Sequence, residues 1–524
     1  MKFYLDIYCS PDISYQSSIN QGDPVDCDDV DGFVEKVFDF LYFDYIKNQN
    51  DEISDVLKIT CPFIISNLIA LYSNILADAR LKKSGFDVIY TDKNIIDSKI
   101  GKRCLSPYYL PDLYSGGKEV PFVNFYLSEI YNKKDYKYFL KKIFIFFSKK
   151  EQVVVLNRNK WLIEFLNSSN IKYSIIDFEY FFDEIKVNDI VKFDDPKLNS
   201  FIENISKNIT QIISEEIDKD KFYNLLVAIL KKIVYKGYID YKNCKNAMKN
   251  KKIYFSKIFT GTMGNYKSRV IFSVLKNFGV ETNSCMHSGS ISHIDYKFDP
   301  RLYIEYLIPN NFYIFNKFDV DTIHKRIHKY GLSIQFKCLK TKKSVGCSSN
   351  KGHVVVEGKN IKKIGILSSN LWVNRRAIFN PSDLQYFEFK YKLLKLIGED
   401  YEVCIKSHPK GALRPKDKVL SLFNNVSYVD ECPMDKFLES VDCVITPFAD
   451  STSFNEVVSS NTPLILIDLC KAGLTSEAKE TLKNRVAFVD CSFENGLATI
   501  NKDQFAEAFN RKYIMDFEFA YRFQ

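Results

Sequence analysis

No cysteine pair in this chain has the C-x-x-C spacing, and no G-x-x-x-x-G-K or G-x-G-x-x-G string occurs. These absences remove the commonest zinc and dithiol sites, kinase-like phosphate loops and dehydrogenase turns. There is no internal repeat and no long low-complexity tract. The N-terminus, MKFYLDIYCSPDISY, lacks a charged region followed by a long apolar run, so it does not read as a secretory leader. A strong excess of one charge is missing too: 73 Lys+Arg stand against 65 Asp+Glu, giving +8 spread along the chain. That balance is too weak to argue for nucleic acid. It suits a nucleotide groove, an anionic acceptor or an anionic membrane surface.

The chain has 524 residues, 46% of them hydrophobic, more than one core usually supports, so two or three compact domains are expected. Several of its 13 cysteines, such as Cys404 and Cys443, sit inside apolar strand-like runs and read as reduced core residues. With the missing leader, this points to the cytoplasm. The most apolar stretch, Ile59 to Ala77, holds Pro62, Ser66, Asn67, Ser73 and Asn74 and reads as a buried amphipathic helix rather than a span. The basic, aromatic segment 137–150 is compatible with peripheral contact at the inner face of a membrane, but reads more simply as a core-facing helix with snorkelling lysines.

Residues 337–363, rich in Lys, Ser, Gly and Asn, resemble an exposed connection. Beyond it, apolar runs alternate with helical patterns: Ile364–Leu367, helix near Asp383–Leu396, Tyr401–Ile405, Val426–Val429, helix near Met434–Ser440, Cys443–Thr446, helix from Ser453, Pro463–Asp468, Val486–Asp490 and a helix from Lys502. Alternation of this kind predicts a parallel sheet flanked by helices. The N-terminal part follows the same grammar less regularly, with Val153–Leu156, a helix near Trp161, Tyr173–Ile176, Ile253–Phe255, a helix over Ser268–Asn277 and Thr282–Met286. The expected division is an α/β N-terminal domain over 1–340 with extra helical elements, a linker over 341–363, a C-terminal Rossmann-like domain over 364–505, and a tail over 506–524 returning to the first domain. Residues 1–150 decorate the first sheet or form a helical extension.

Ligands of open parallel sheets bind at the carboxyl ends of strands, which selects three loops. In Lys406-Ser407-His408-Pro409 a strand runs into a histidine whose direction the proline would fix, suited to a phosphate or ribose oxygen. In Thr446-Pro447-Phe448-Ala449-Asp450-Ser451-Thr452-Ser453-Phe454-Asn455-Glu456 a strand ends in a turn that opens a helix. Ser451, Thr452 and Ser453 either cradle a phosphate at the helix N-terminus or simply cap it, Ser453 and Glu456 having capping-box spacing. The third loop, after Val280 to Met286, carries His287 at a strand end, where it could act as a general base or be satisfied by its polar neighbours; Asp295 and Glu281 are rival bases. Two D-x-D strings, Asp29-Val30-Asp31 and Asp319-Val320-Asp321, read as a turn-like acidic stretch and a helix start rather than a metal site.

Together these segments resemble bacterial transferases of the GT-B fold that build capsule, lipopolysaccharide or teichoic-acid chains. His408-Pro409 looks like the HP motif, and Ser451-Thr452 like the S/T motif, of sialyltransferases, polysialyltransferases and Kdo transferases. Met286-His287-Ser288-Gly289 is similar to the Q-H-G segment of CDP-glycerol transferases, although Met286 and Ser288 depart from it. The resemblance implies two Rossmann-like domains facing a cleft, with CMP held by His408, Ser451 and Thr452. It further implies an inverting, metal-independent transfer of an acidic sugar from a CMP-sugar to a glycan or glycolipid acceptor, with no separate cofactor. In that reading His287 or Asp295 is the base, while His408 and the Lys406, Ser407, Pro409, Ser453 and Glu456 surroundings hold the donor. Alternatives are CDP-glycerol or polyol transfer, a nucleotide-sugar epimerase of the UDP-GlcNAc 2-epimerase kind, and a non-catalytic nucleotide-binding subunit of a polysaccharide assembly complex.

Overall fold

Strands of a parallel sheet covered on both faces are typically short apolar runs, but polar residues interrupt several of the six strands of the first sheet. β1 (Gln152–Asn157), β2 (Tyr173–Ile175), β3 (Phe255–Thr260), β4 (Glu281–Cys285), β5 (Asn311–Ile314) and β6 (Gln335–Cys338) pair in the order β2-β1-β3-β4-β5-β6, every pair parallel. The second sheet contains β7 (Lys363–Leu367), β8 (Glu402–Lys406), β9 (Val426–Val429), β10 (Cys443–Thr446), β11 (Leu464–Leu466) and β12 (Val486–Phe488). Its order is β9-β8-β7-β10-β11-β12, again all parallel, so the winding reverses between β7 and β10. The chain is therefore α/β with two doubly wound, Rossmann-like sheets, a GT-B-like arrangement. This computed structural model describes residues 2–4, 24–47, 51–89, 152–157, 160–182, 195–251, 253, 255–286, 292–314, 317–338, 355–368, 381–407, 422–430, 432–469 and 472–515.

Part of the N-terminal extension is helical. α1 (Cys27–Phe40) starts at Asp26, whose carboxylate caps the first turn in a reciprocal box with Asp29. Asp29, from the first D-x-D string, also bonds Arg80 at 2.6 Å, so this acidic stretch is a helix start rather than a turn. α2 (Glu52–Lys83) contains the apolar stretch read from sequence. It is long and apolar enough to cross a membrane, yet 89% of its most apolar window is buried inside the protein. It is buried on nearly every side rather than amphipathic, because other helices surround it. α3 (Pro196–Ile212) and α4 (Lys219–Asn250) pack together, and α4 crosses α2 at Gly237. A methyl group there would collide with Thr60, so the missing side chain sets how near the two helices come.

α5 (Tyr266–Asn277) carries Arg269, which is fully buried. Its guanidinium donates to the carbonyls of Ile59 at 2.9 Å, Met263 at 3.3 Å and Tyr303 at 2.9 Å, and also to those of Lys58 and Ile304. One side chain thus ties α2, the loop after β3 and the 303–304 turn to the first sheet. In α6 (Lys317–Ile327) Asp319 lies in the first turn, as the second D-x-D string suggested, and accepts the Ser292 amide at 2.7 Å.

Around the second sheet, α7 (Asp383–Ile397) is opened by Ser382 in a capping box with Gln385. The described end of the 341–363 connection is not loose: Val355–Glu357 pairs antiparallel with Lys512–Ile514. Residues 512–514 of the tail therefore lie on the second unit, where the Tyr513 hydroxyl donates to Ala508 O at 2.7 Å. Residues 341–354 and 516–524, and the basic segment 137–150, lie outside the described residues.

Candidate functional site at the junction of the two sheets

Carboxyl-end loops of both sheets meet. Beyond β4 the chain reaches Ile294, which forms a single antiparallel bridge with Leu474, beyond β11. The Thr475 amide donates to His293 O at 2.8 Å and the Asp295 amide to Gly473 O at 3.0 Å. His293 is fully buried; its Nε2 bonds Ala449 O at 3.0 Å and its ring stacks on Phe454 at 5.9 Å. Burial first, then the Arg301 and Arg326 charges, push its pKa down to about 4 against the Ala449 bond. The ring is therefore neutral near pH 7, and with Ala449 O accepting, the proton sits on Nε2.

Next to this contact the Tyr296 hydroxyl donates to Asp450 at 3.1 Å, and the guanidinium carbons of Arg301 and Arg326 each lie 5.5 Å from the Tyr296 ring centre. Arg326 comes from α6 and also donates to Ile294 O. Burial opposes the Arg301 charge, but Tyr296, Asp299, Tyr306 and Asp450 outweigh it, so the guanidinium stays charged. Burial raises the pKa of Asp450, with Tyr296 and Arg301 pulling the other way. The junction is thus a partly buried patch of two arginines, a tyrosine and a carboxylate where loops of the two sheets meet.

Sequence reasoning selected this region but not these side chains. It chose His287, whereas the histidine seen at the junction is His293, six positions further on; His287 lies outside the described residues. Asp295 is at the bridge with an exposed side chain. Asp450 was visible as the residue before Ser451, and the signal that could have singled it out was its place in the loop that follows an all-buried strand.

On the second sheet, His408 and Pro409 lie outside the described residues, and Lys406 and Ser407 precede them. The Lys406 ammonium donates to Cys432 O and covers the Phe437 ring at 5.7 Å, so it fastens the loop after β9. Ser407 is buried, its amide donating to Val429 O at 3.3 Å. Ser451 is the N-cap of α8 (Thr452–Val458): its Oγ accepts the Phe454 amide at 3.0 Å and donates to Phe448 O at 3.1 Å. Ser453 with Glu456 is therefore not the capping box, because the helix begins two residues earlier than that pairing requires. Thr452 and Glu456 are exposed and Ser453 half-buried.

A cation that sequence reasoning passed over lies where the second sheet reverses its winding. Lys390, on α7, is 3% exposed, and its ammonium donates to the Ser368 hydroxyl at 3.0 Å, one residue beyond β7. It also lies 5.0 Å from the Tyr386 ring centre, and that ring meets Phe448, two residues beyond β10, at 5.6 Å. Burial lowers its pKa to about 8.

No protein-family model matches the sequence, and no curated protein is significantly similar to it. Among solved structures, UDP-N-acetylglucosamine 2-epimerase from Rickettsia bellii is similar over 69% of this chain and 87% of that one, with 10% identity and a TM-score of 0.34. UDP-GlcNAc 2-epimerase from Methanocaldococcus jannaschii is similar over 68% of this chain and 91% of that one, with 10% identity and a TM-score of 0.32. Both neighbours are named as epimerases and neither as a CMP-sugar transferase, so the expected transfer from a CMP-sugar is not retained. The Ser451 hydroxyl caps a helix of 7 residues.

Proposed function

We propose that this chain is a nucleotide-sugar enzyme working between its two sheets, and that its reaction inverts a carbon centre of the bound sugar, as epimerisation of UDP-GlcNAc at C2 does. One observation carries the reading: loops from the carboxyl ends of two doubly wound sheets are joined at the Ile294–Leu474 bridge, beside Tyr296, Arg301, Arg326 and Asp450. Such ends are where this architecture binds nucleotides, and a ligand with a nucleotide half and a sugar half suits a junction with two sides. Epimerisation needs one substrate and a proton moved off and onto one carbon. Asp295, exposed at the bridge, is the group we assign to that transfer.

The test is incubation with UDP-GlcNAc alone in deuterium oxide. The expected result is a second nucleotide-sugar epimer carrying solvent deuterium, with the rate falling about 100-fold or more in Asp295→Asn. No interconversion of UDP-GlcNAc or of other UDP-, GDP- and TDP-sugars would overturn the reading.

A further inference from the structure

A lysine halfway along a helix is ordinarily a solvated residue, and burying its ammonium without a carboxylate is unfavourable unless something else uses the charge. Among the described residues no carboxylate pairs with Lys390; its partners are the Ser368 hydroxyl and the Tyr386 ring. Helical side chains lean toward the helix N-terminus, and α7 follows β7, so its N-terminal end lies on the carboxyl side of the sheet. Lys390 leans that way, to the ends of the two strands that flank the winding reversal: Ser368 follows β7, and Phe448, reached through Tyr386, follows β10. In sheets of this order that crevice receives the ligand.

We propose that Lys390 anchors the phosphate groups of an anionic ligand at the switch point of the second sheet, with Ser368 as the second donor and the Tyr386–Phe448 pair as the apolar wall beside them. The charge is then kept in place for a ligand that neutralises it on binding. This deepens the nucleotide-sugar reading by assigning the diphosphate to the second unit, and rests on it only for the identity of the nucleoside.

A buried ammonium held for the fold and one held for a ligand give opposite results on replacement by methionine, which keeps the length and removes the charge. The experiment compares wild type, Lys390→Met and Lys390→Gln by calorimetric titration with UDP, inorganic diphosphate and uridine, and by thermal unfolding without ligand. The expected result is at least tenfold weaker binding of UDP and diphosphate in both variants, unchanged affinity for uridine, and an unliganded Lys390→Met that melts at or above the wild-type temperature. Unchanged UDP and diphosphate affinity, or Lys390→Met melting well below wild type, overturns the anchor even if epimerisation is observed. Diphosphate binding lost with Lys390, but no turnover of any nucleotide-sugar, keeps the anchor and removes the enzymatic reading. A wild type that binds neither UDP nor diphosphate removes the anchor.

Discussion

Arg269 in the first unit and Lys390 in the second are both buried cations on helices that cover a sheet, and they are used in opposite ways. Arg269 donates to five carbonyls from three separate segments, so its fork of donors is consumed by the fold. Lys390 donates to one hydroxyl at the mouth of a switch point. The contrast separates a charge that the fold depends on from a charge that the fold tolerates. Burial lowers both pKa values, to about 10 for Arg269 and about 8 for Lys390, so the shift alone does not tell the two apart; the partners do.

The sharpest way to break this comparison is to remove each charge. Arg269→Met removes a donor from five carbonyls, and at about 1–3 kcal/mol for each buried group that finds no other partner it should unfold the first unit or shift its urea midpoint drastically. A mild effect would mean that Arg269 is not the fastening described. For Lys390 the pH dependence supplies the test. Its folded pKa is depressed below the unfolded value, so the charged form is disfavoured by folding and the penalty is largest below pH about 8. The penalty fades as pH rises from there toward the unfolded pKa of about 10.4. The stability advantage of Lys390→Met over wild type should therefore be greatest near pH 7, on the order of 3 kcal/mol at most, and shrink by pH 10; a constant difference would remove the buried-charge account.

A smaller effect is expected at Ser451. Its hydroxyl caps α8, so Ser451→Ala should lower stability by about 1 kcal/mol and leave UDP affinity unchanged. Weaker UDP binding at unchanged stability would assign Ser451 to the ligand.

The second sheet was largely legible in the sequence because its strands are short apolar runs bounded by turn signals: Val426–Val429 and Cys443–Thr446 stand where the pattern put them. In the first sheet β5, with the sequence Asn-Phe-Tyr-Ile, and β6, with Gln-Phe-Lys-Cys, escaped notice because polar residues interrupt the runs and β6 is an edge strand. Lys390 was illegible for a related reason. Residues Tyr386-Phe387-Glu388-Phe389-Lys390 read as a helix with a charged face, yet all five are buried. Glu388 accepts the Ala498 amide at 2.8 Å and pairs with Lys392 at 2.6 Å, which lets this turn go inside. His293 was hidden by its six-residue distance from a histidine that looked better placed, since periodicity says nothing about which residue of an irregular loop crosses to the other unit.

The Ile294–Leu474 bridge holds the two loops by main-chain atoms alone, through the amides of Asp295 and Thr475. A joint of that kind is blind to side-chain identity. Residues 294 and 474 could drift through many apolar types without losing either hydrogen bond, whereas proline at 295 or 475 would delete a donor outright. Part of the alignment of the two halves is thus inherited through the backbone, while the His293–Ala449 and Tyr296–Asp450 bonds tie it to side chains.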